Sequence, residues 1–216
     1  MRLTWFGHSS FKVVTSSGTA LITDPYKPSE RLTYSPINSM ADVVTVSHDH
    51  WDHGSVDEIM GSPAIVRNPG STDVRGIHIE GFSSFHDDND GKLRGKNIIF
   101  RIEADNMTLI HMGDLGHIPS DETLTAFENA EVIMIPAGGV YTIGPLDAWR
   151  ILDTLKPHII IPMHYLNSKN SFLKYTVDDF ITYTSGIPVS SERHTVTVED
   201  ILSRHESTVL VMESAR

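Results

Sequence analysis

The chain has 216 residues and no cysteine, and 17 Lys and Arg stand against 28 Asp and Glu, giving a formal net charge of −11. This composition excludes disulfides and thiolate metal ligands, and it disfavours non-specific nucleic-acid binding, which needs a basic surface. The length predicts one domain with a sizeable core over residues 1–216. Without a long apolar segment, we expect a cytoplasmic protein with no membrane partner.

The N-terminal part alternates short β-rich runs with turns. Strands are predicted at residues 3–6, 11–15 and 20–23, and a Ser-Ser-Gly turn joins the last two as in an antiparallel meander. A long loop from Asp24 to Asn38 follows, and loops of this kind often line a site. The β-branched run at 42–47 predicts a buried strand, and residues 54–60 predict a short helix.

The rest of the chain mixes strands and helices. Strands are predicted at 63–66, 77–85, 97–102, 107–111, 132–135, 158–162 and 208–212. Ser120 is predicted to cap a short helix, Pro145 to open a helix with apolar residues at 148, 151, 152 and 155, and residues 177–183 to form another. This mixture predicts layered sheets covered by helices.

The densest chemistry lies between the strand at 42–47 and the segment that follows it. Residues 48–53 read His-Asp-His-Trp-Asp-His, the pattern H-x-H-x-D-H. On an extended loop His48 and His50 project to one side, while Asp52 and His53 can serve a second position. Imidazole and carboxylate are ligands that zinc, manganese and iron accept, so the pattern predicts a metal site rather than a solvated polar turn.

Single donors recur at other predicted strand ends. His86, Asp114 and His164 each follow a predicted strand. Functional residues often lie in the loops at strand ends along one edge of a sheet, because the sheet fixes their positions. The donors together are enough for a site with two metals. His8 is left open between lining the pocket and an internal hydrogen bond. The other histidines are expected to be ordinary surface or hydrogen-bonded residues; they are His78, His111, His117, His158, His194 and His205.

With the segments 5–10, 22–25, 94–97 and 161–165, these motifs resemble the metallo-β-lactamase superfamily, closest to the metal-dependent hydrolase branch related to L-ascorbate-6-phosphate lactonase. The resemblance implies an α/β (α+β) fold, a four-layer αββα sandwich with two divalent transition-metal ions at the shared rim of its sheets. It also implies a role for each donor: His48, His50 and His86 hold the first ion, Asp52, His53 and His164 hold the second, and Asp114 bridges them. Asp24 would support the metal loop through hydrogen bonds.

The implied chemistry is hydrolysis by a metal-bound hydroxide at a small-molecule ester, lactone or phosphoester. Asp52 would steer the hydroxide and accept its proton, and Tyr165 would be a candidate donor to the leaving group. Zinc is favoured, and manganese, iron, cobalt or nickel would also fit. The resemblance favours lactones or phosphorylated sugars.

Two other functions stay open: a phosphodiesterase or nuclease, and a non-catalytic metal-binding module. The second is disfavoured because the complete donor set is present. Loop cations beside the donor segments could bind an anionic substrate or be ordinary solvated charges; they are Arg94, Lys96, Lys169 and Lys174. A homo-oligomer is also left open.

Overall fold

Two β-sheets packed face to face form the centre of the protein. A computed structural model describes residues 1–203 and 207–215. The strands in chain order are β1 (Arg2–Gly7), β2 (Ser10–Val14), β3 (Ala20–Thr23), β4 (Ser39–Met40), β5 (Val43–Thr45), β6 (Ile59–Met60), β7 (Ala64–Val66), β8 (Gly70–Val74), β9 (Ile77–Phe85), β10 (Lys96–Ala104), β11 (Met107–His111), β12 (Val132–Pro136), β13 (Ile159–Met163), β14 (Val189–Glu192), β15 (Thr195–Thr197) and β16 (Thr208–Met212). The α-helices are α1 (Asp121–Thr125), α2 (Pro145–Leu155), α3 (Val177–Ile181) and α4 (Val198–Leu202), and Val56–Glu58 form a 3₁₀ turn.

Strands from residues 2–66 form most of the six-stranded sheet, to which β15 is added near the C-terminal end, and the other long strands form the eight-stranded sheet. The six-stranded sheet has the order β15-β1-β2-β3-β5-β7, and the eight-stranded sheet has the order β14-β16-β13-β12-β11-β10-β9-β8. Strands β1 to β3 form the predicted antiparallel meander, and β11, β12 and β13 are parallel. Because each antiparallel neighbour reverses direction, β1, β3 and β5 run the same way in one sheet, as do β9, β11 and β13 in the other.

The alternation of side chains along each strand divides the core. In β12, Val132 and Met134 face the six-stranded sheet, whereas Ile133 and Ile135 face the helices. Both faces of this strand are buried, which is why its sequence is a continuous apolar run rather than an alternating one. Helices α1, α2 and α3 cover the outer face of the eight-stranded sheet through Leu124, Ile151 and Phe180.

A long loop covers the outer face of the six-stranded sheet. Tyr26, Leu32 and Tyr34 of the loop at 24–38 pack on Ile22 and Val44. The predicted layered sandwich is confirmed, with this loop and the 3₁₀ turn forming the fourth layer. Within residues 1–203 and 207–215, no helix combines the length and apolar character that a membrane crossing requires.

Several local predictions differ from the structure. Residues 54–60 are not one helix, because after the 3₁₀ turn Ile59 and Met60 pair with β4, a contact that local sequence does not reveal. The sequence predicted no strand at β8, β14 or β15, which are polar, partly exposed strands at sheet edges. Helix α4 was also not predicted, and His205 lies outside the described residues.

Candidate metal centre

The donor side chains gather where the carboxyl ends of parallel-running strands meet. The H-x-H-x-D-H loop follows β5, and His86, Asp114 and His164 follow β9, β11 and β13. His8 follows β1 in the same way. Because these strands run in one direction within each sheet, their ends reach one shared rim. The structure therefore brings all seven predicted ligands together with His8 and Asp24.

Three residues of this rim adopt a left-handed backbone conformation directly after their strands. The φ angles are 54° at His8, 38° at Asp24 and 50° at His164. Such angles are uncommon outside glycine and cluster at functional sites, where the surrounding structure enforces them. The sharp turn at each residue takes the chain out of the sheet at the point where the donor is needed.

The donors form two adjoining groups. His48, His50 and His86 make one group, and His8 joins Asp52, His53 and His164 in the other. Within each group the candidate ligand atoms lie within 4.8 Å of one another. The division matches the two ligand sets implied by the resemblance, with His8 added to the second.

Asp114 lies between the groups. Its Oδ2 is 3.1 Å from His86 Nε2 and 3.1 Å from His164 Nε2, and its Oδ1 is 3.2 Å from His53 Nε2. Asn97 holds the backbone of this residue, because its Oδ1 accepts a hydrogen bond from Asp114 N at 2.9 Å. Asp114 is thus positioned to contact both groups.

Asp24 ties the metal loop to the six-stranded sheet. This buried carboxylate accepts hydrogen bonds from Ser47 N at 2.8 Å, from Ser47 Oγ at 2.5 Å and from His53 Nδ1 at 2.8 Å. Burial alone would raise the pKa of Asp24, but His111 and the bond from His53 hold it below its ordinary value. The His53 bond leaves Nε2 facing the cluster, which is how a carboxylate fixes a ligating imidazole.

His8 is buried beside Asp52 and bonded on its far side. Asn170 Nδ2 donates to His8 Nδ1 at 3.0 Å, and His8 Nε2 lies 3.3 Å from Asp52 Oδ2. A neutral imidazole that accepts at Nδ1 carries its proton on Nε2, so this ring presents N–H towards Asp52. Sequence left the role of His8 open, and the structure places it in the cluster.

The histidine pKa values favour the neutral, metal-binding form at several positions. Burial lowers the pKa of His8 to about 4 and that of His48 to about 3, and neighbouring histidines act in the same direction. Burial would also lower the pKa of His53, but the Asp114 and Asp24 carboxylates raise it well above its ordinary value. Carboxylates that favour a proton there would equally favour a metal cation.

The cluster contains buried polar atoms that the protein itself does not satisfy. The Nε2 atoms of His48 and His53 and the Oδ1 atom of Asp114 make no hydrogen bond, although some approach one another closely. Buried polar atoms without partners are costly. Divalent metal ions would satisfy them, and nitrogen and oxygen donors suit such ions, so the residues present fit the implied metal centre.

A cleft of about 260 Å³ opens over this cluster. Donors form its floor, and its walls are Arg31, Trp51, Arg94, Tyr141 and Phe172. The cleft adjoins a groove of about 630 Å³ that shares His50 and Arg94 with it. A larger depression of about 670 Å³ beside the start of α2 holds none of the candidate metal-ligand groups found in the described residues, so size alone does not mark the site.

Of the four loop cations singled out in the sequence, only some lie at the cleft. Arg94 lines the cleft, and Lys96 lines a neighbouring groove that shares His50 and Arg94 with it. Lys169 instead donates to Ser214 Oγ at 3.1 Å, and Lys174 lies over the ring of Tyr175. Neither of these lysines lines the cleft.

Tyr165 is a correction to the prediction. Its ring packs on Trp5 at 5.7 Å in the core between the sheets, and it does not line the cleft. Burial raises its pKa. Tyr165 continues the alternation of Ile161 and Met163, which face the core between the sheets, so the position does not support the predicted donor role.

Four cleft residues were not predicted from sequence: Arg31, Trp51, Tyr141 and Phe172. The available signal was their location in loops next to donor segments. Among the unassigned histidines, His111 is buried with its Nε2 2.8 Å from Ser9 O, His117 accepts from Phe85 N at 3.2 Å, and His78 pairs with Asp73.

Two facing sheets with His and Asp donors at their shared rim define a metal-dependent hydrolase of the metallo-β-lactamase type. Comparison of the sequence gives the family: a model described as the β-lactamase superfamily domain matches residues 2–164, and the chain belongs to this superfamily. The matched region includes every predicted metal ligand, from His48 to His164, and also His8. The predicted superfamily and enzyme class are confirmed.

Individual relatives agree with this assignment. A UPF0173 metal-dependent hydrolase from Methanospirillum hungatei is 26% identical over 222 residues and covers 92% of this chain and 96% of its own. A solved structure from Thermotoga maritima, assigned to the Zn-dependent hydrolases of the metallo-β-lactamase superfamily, has a TM-score of 0.78 and 32% identity, covering 98% of this chain and 99% of that one. Igni18, a metallo hydrolase from Ignicoccus hospitalis, supports the fold alone, with a TM-score of 0.67 and 23% identity over 100% and 96% of the two chains.

Proposed function

We propose that this protein hydrolyses a small-molecule ester, lactone or phosphoester at a pair of divalent metal ions. The observation that carries the proposal is the position of Asp114, within 3.2 Å of histidines from both donor groups. His48, His50 and His86 would hold one ion, and Asp52, His53 and His164 the other, with Asp114 between them. Zinc leads among the metals, and manganese, iron, cobalt and nickel also suit these donors.

Bound divalent ions supply Lewis acidity and lower the pKa of water towards neutrality. The chain's own residues then orient and move the proton. Asp52 lines the cleft floor, and its carboxylate is held by His8 Nε2 at 3.3 Å. It can accept the proton of the attacking water while His8 keeps the carboxylate facing the cleft. The leaving group departs into the open cleft.

Small substrates are favoured over nucleic acid. The cleft volume of about 260 Å³ suits a metabolite, and the chain carries a net charge of −11. A nucleic-acid backbone would meet a predominantly acidic surface. Lactones lead among the candidates because of the family resemblance, and phosphoesters use the same donors.

The test combines metal analysis with an activity screen. Purified protein loaded with zinc or manganese should bind up to two ions per chain and hydrolyse members of a panel of lactones, carboxylic esters, phosphomonoesters and phosphodiesters. A chelator should abolish turnover and lower the Tm. The exposed pair His78 and Asp73 offers a control, since H78Q changes a histidine outside the cluster and should leave metal content unchanged.

Metal content near zero in the protein as purified, together with no thermal shift on adding zinc or manganese, would refute the proposal. Preference for single-stranded oligonucleotides over every small ester in the panel would instead favour the nuclease alternative. Stoichiometric metal with no hydrolysis across the panel would favour the non-catalytic module.

A further inference from the structure

A continuous row of side chains crosses the mouth of the cleft. The Arg94 guanidinium carbon lies 3.8 Å from the centre of the Tyr141 ring, and the Tyr141 and Phe172 ring centres are 6.1 Å apart. The Arg31 guanidinium carbon lies 5.1 Å from the centre of the Phe172 ring. We name these four residues the arginine rim. Each end of the rim is thus a guanidinium held against an aromatic face.

The arginine rim lies directly beside the metal donors. The Phe172 ring centre is 6.0 Å from that of His8 and 6.4 Å from that of His164. All four rim residues line the same cleft as Asp52 and Asp114. A small molecule whose reacting bond lies at the donors would therefore place its remaining atoms against the rim.

Neither rim arginine is neutralised by the protein. Across residues 1–203 and 207–215, the side chains of Arg31 and Arg94 have no ion-pair partner, whereas Arg67 pairs with Asp49 and Arg150 with Asp147. Within the described residues Arg2 and Arg75 also lack an ion pair, so what sets Arg31 and Arg94 apart is that both line the cleft and each stacks on an aromatic ring there. Stacking holds each planar guanidinium while leaving N–H groups at its edge for a carboxylate or phosphate.

The loop that carries Arg94 is itself held in place. The Asp87 carboxylate accepts four backbone hydrogen bonds, from residues 89, 91, 93 and 94, at 2.7 to 3.0 Å. The bond from Arg94 N is the shortest, at 2.7 Å. Asp87 follows the donor His86 directly, so one short segment fixes both a metal donor and a rim arginine. The cation is therefore held at a defined position relative to the donors.

We propose that the substrate carries an anionic group separate from its scissile bond, and that Arg31 and Arg94 bind this group as a carboxylate or phosphate. The inference rests on the proposed function and adds the substrate class. The Tyr141 and Phe172 rings between the two cations would contact the apolar part of the substrate. A neutral ester of the same size would lack the rim contacts and bind less tightly.

Two matched esters test the proposal with metal-loaded protein: mono-4-nitrophenyl glutarate, which carries a free carboxylate, and its neutral methyl ester. R94Q and R31Q should each raise the KM for the acid about 10- to 100-fold, as expected for a lost hydrogen bond to a charged group, with kcat little changed. KM for the methyl ester should change less than about twofold. R94K keeps the charge but loses the planar guanidinium that can form two parallel hydrogen bonds. Its KM for the acid should therefore lie between those of R94Q and the wild type.

Calorimetric binding of benzoate, phenylphosphonate and neutral benzamide provides a readout without turnover. At equal metal content, R94Q and R31Q should weaken the binding of benzoate and phenylphosphonate and leave the binding of benzamide unchanged. The anion that binds more tightly to the wild type shows whether the rim prefers a carboxylate or a phosphate-like group. R150Q is the control, because Arg150 is an exposed arginine on α2. This variant should bind all three ligands as the wild type does. If neither ester is hydrolysed, the wider substrate panel still decides on the proposed function, and calorimetry decides on the rim independently. Anion binding unaffected by both substitutions would overturn the inference.

Discussion

Replacing Asp24 by Asn tests how the metal loop is supported. Asn tolerates the φ of 38° at this position, so the change alters hydrogen bonding without straining the backbone. Three donors converge on the two carboxylate oxygens: Ser47 N on Oδ1, and Ser47 Oγ and His53 Nδ1 on Oδ2. An amide has one oxygen and a donating NH₂ group. In either orientation of the amide, its NH₂ group faces at least one of these donors and cannot accept a hydrogen bond from it.

The expected loss of stability follows from the number of hydrogen bonds that D24N breaks. At least one charge-assisted hydrogen bond is lost and one buried donor is left unpaired, which together destabilise by about 2–4 kcal/mol. For a chain of this length, each kcal/mol lowers Tm by about 2–4 °C, so D24N should melt roughly 5–15 °C below wild type. His53 also loses the orientation of its ring, and metal affinity should fall about 10- to 100-fold.

Thermal denaturation and metal titration of D24N and wild type would measure both effects. D73N is the matched control, because Asp73 also bonds a histidine, His78 Nδ1 at 2.7 Å, but on the exposed surface. Its free energy of unfolding should change by less than about 0.5 kcal/mol. If D24N kept the wild-type metal affinity and Tm, the support that we assign to Asp24 would be refuted.

Three further substitutions probe the cluster. D52N at saturating metal should lower kcat about 10²- to 10⁴-fold, the usual loss for a missing general base, and near-wild-type kcat would require another base. D114A should reduce the content of both metals by elemental analysis, whereas H8A should retain metal better; equal losses would count against Asp114 lying between the ions. G113A should destabilise by about 1–3 kcal/mol in denaturant titration, because its φ is 54° and a Cβ would overlap Asn97 Oδ1; unchanged stability would contradict this close packing.

Strands with buried faces were predictable from sequence because their composition reflects their surroundings. Residues 132–135 and 158–162 are apolar runs, and the structure has β12 and β13 there. The edge strand β8, with the sequence Gly-Ser-Thr-Asp-Val, resembles a loop because no face of it is fully buried. Residues 59–60 pair with β4 twenty residues upstream, which no local pattern encodes.

The donors were predictable for a different reason. Four lie within six residues, and His86, Asp114 and His164 each follow a recognisable strand, so motif and position agreed. Tyr165 was misassigned because it continues the alternation of Ile161 and Met163 and therefore faces the core between the sheets rather than the cleft. For the rim residue Phe172 the sequence indicated only a loop near a donor segment, because the direction of a loop side chain depends on tertiary packing.

Hydrolytic chemistry and ligand discrimination occupy different parts of this architecture. Donors follow strand ends anchored in the sheets, whereas Arg31, Arg94, Tyr141 and Phe172 belong to four separate loops. Loops tolerate replacement better than strands, so each wall of the cleft can diversify independently while the donors stay in place. The same scaffold is therefore well suited to acquiring new specificities. Exchanging residues 27–38 or 171–176 between superfamily members would keep Asp24, His164 and Asn170, and should redirect selectivity without rebuilding the metal centre.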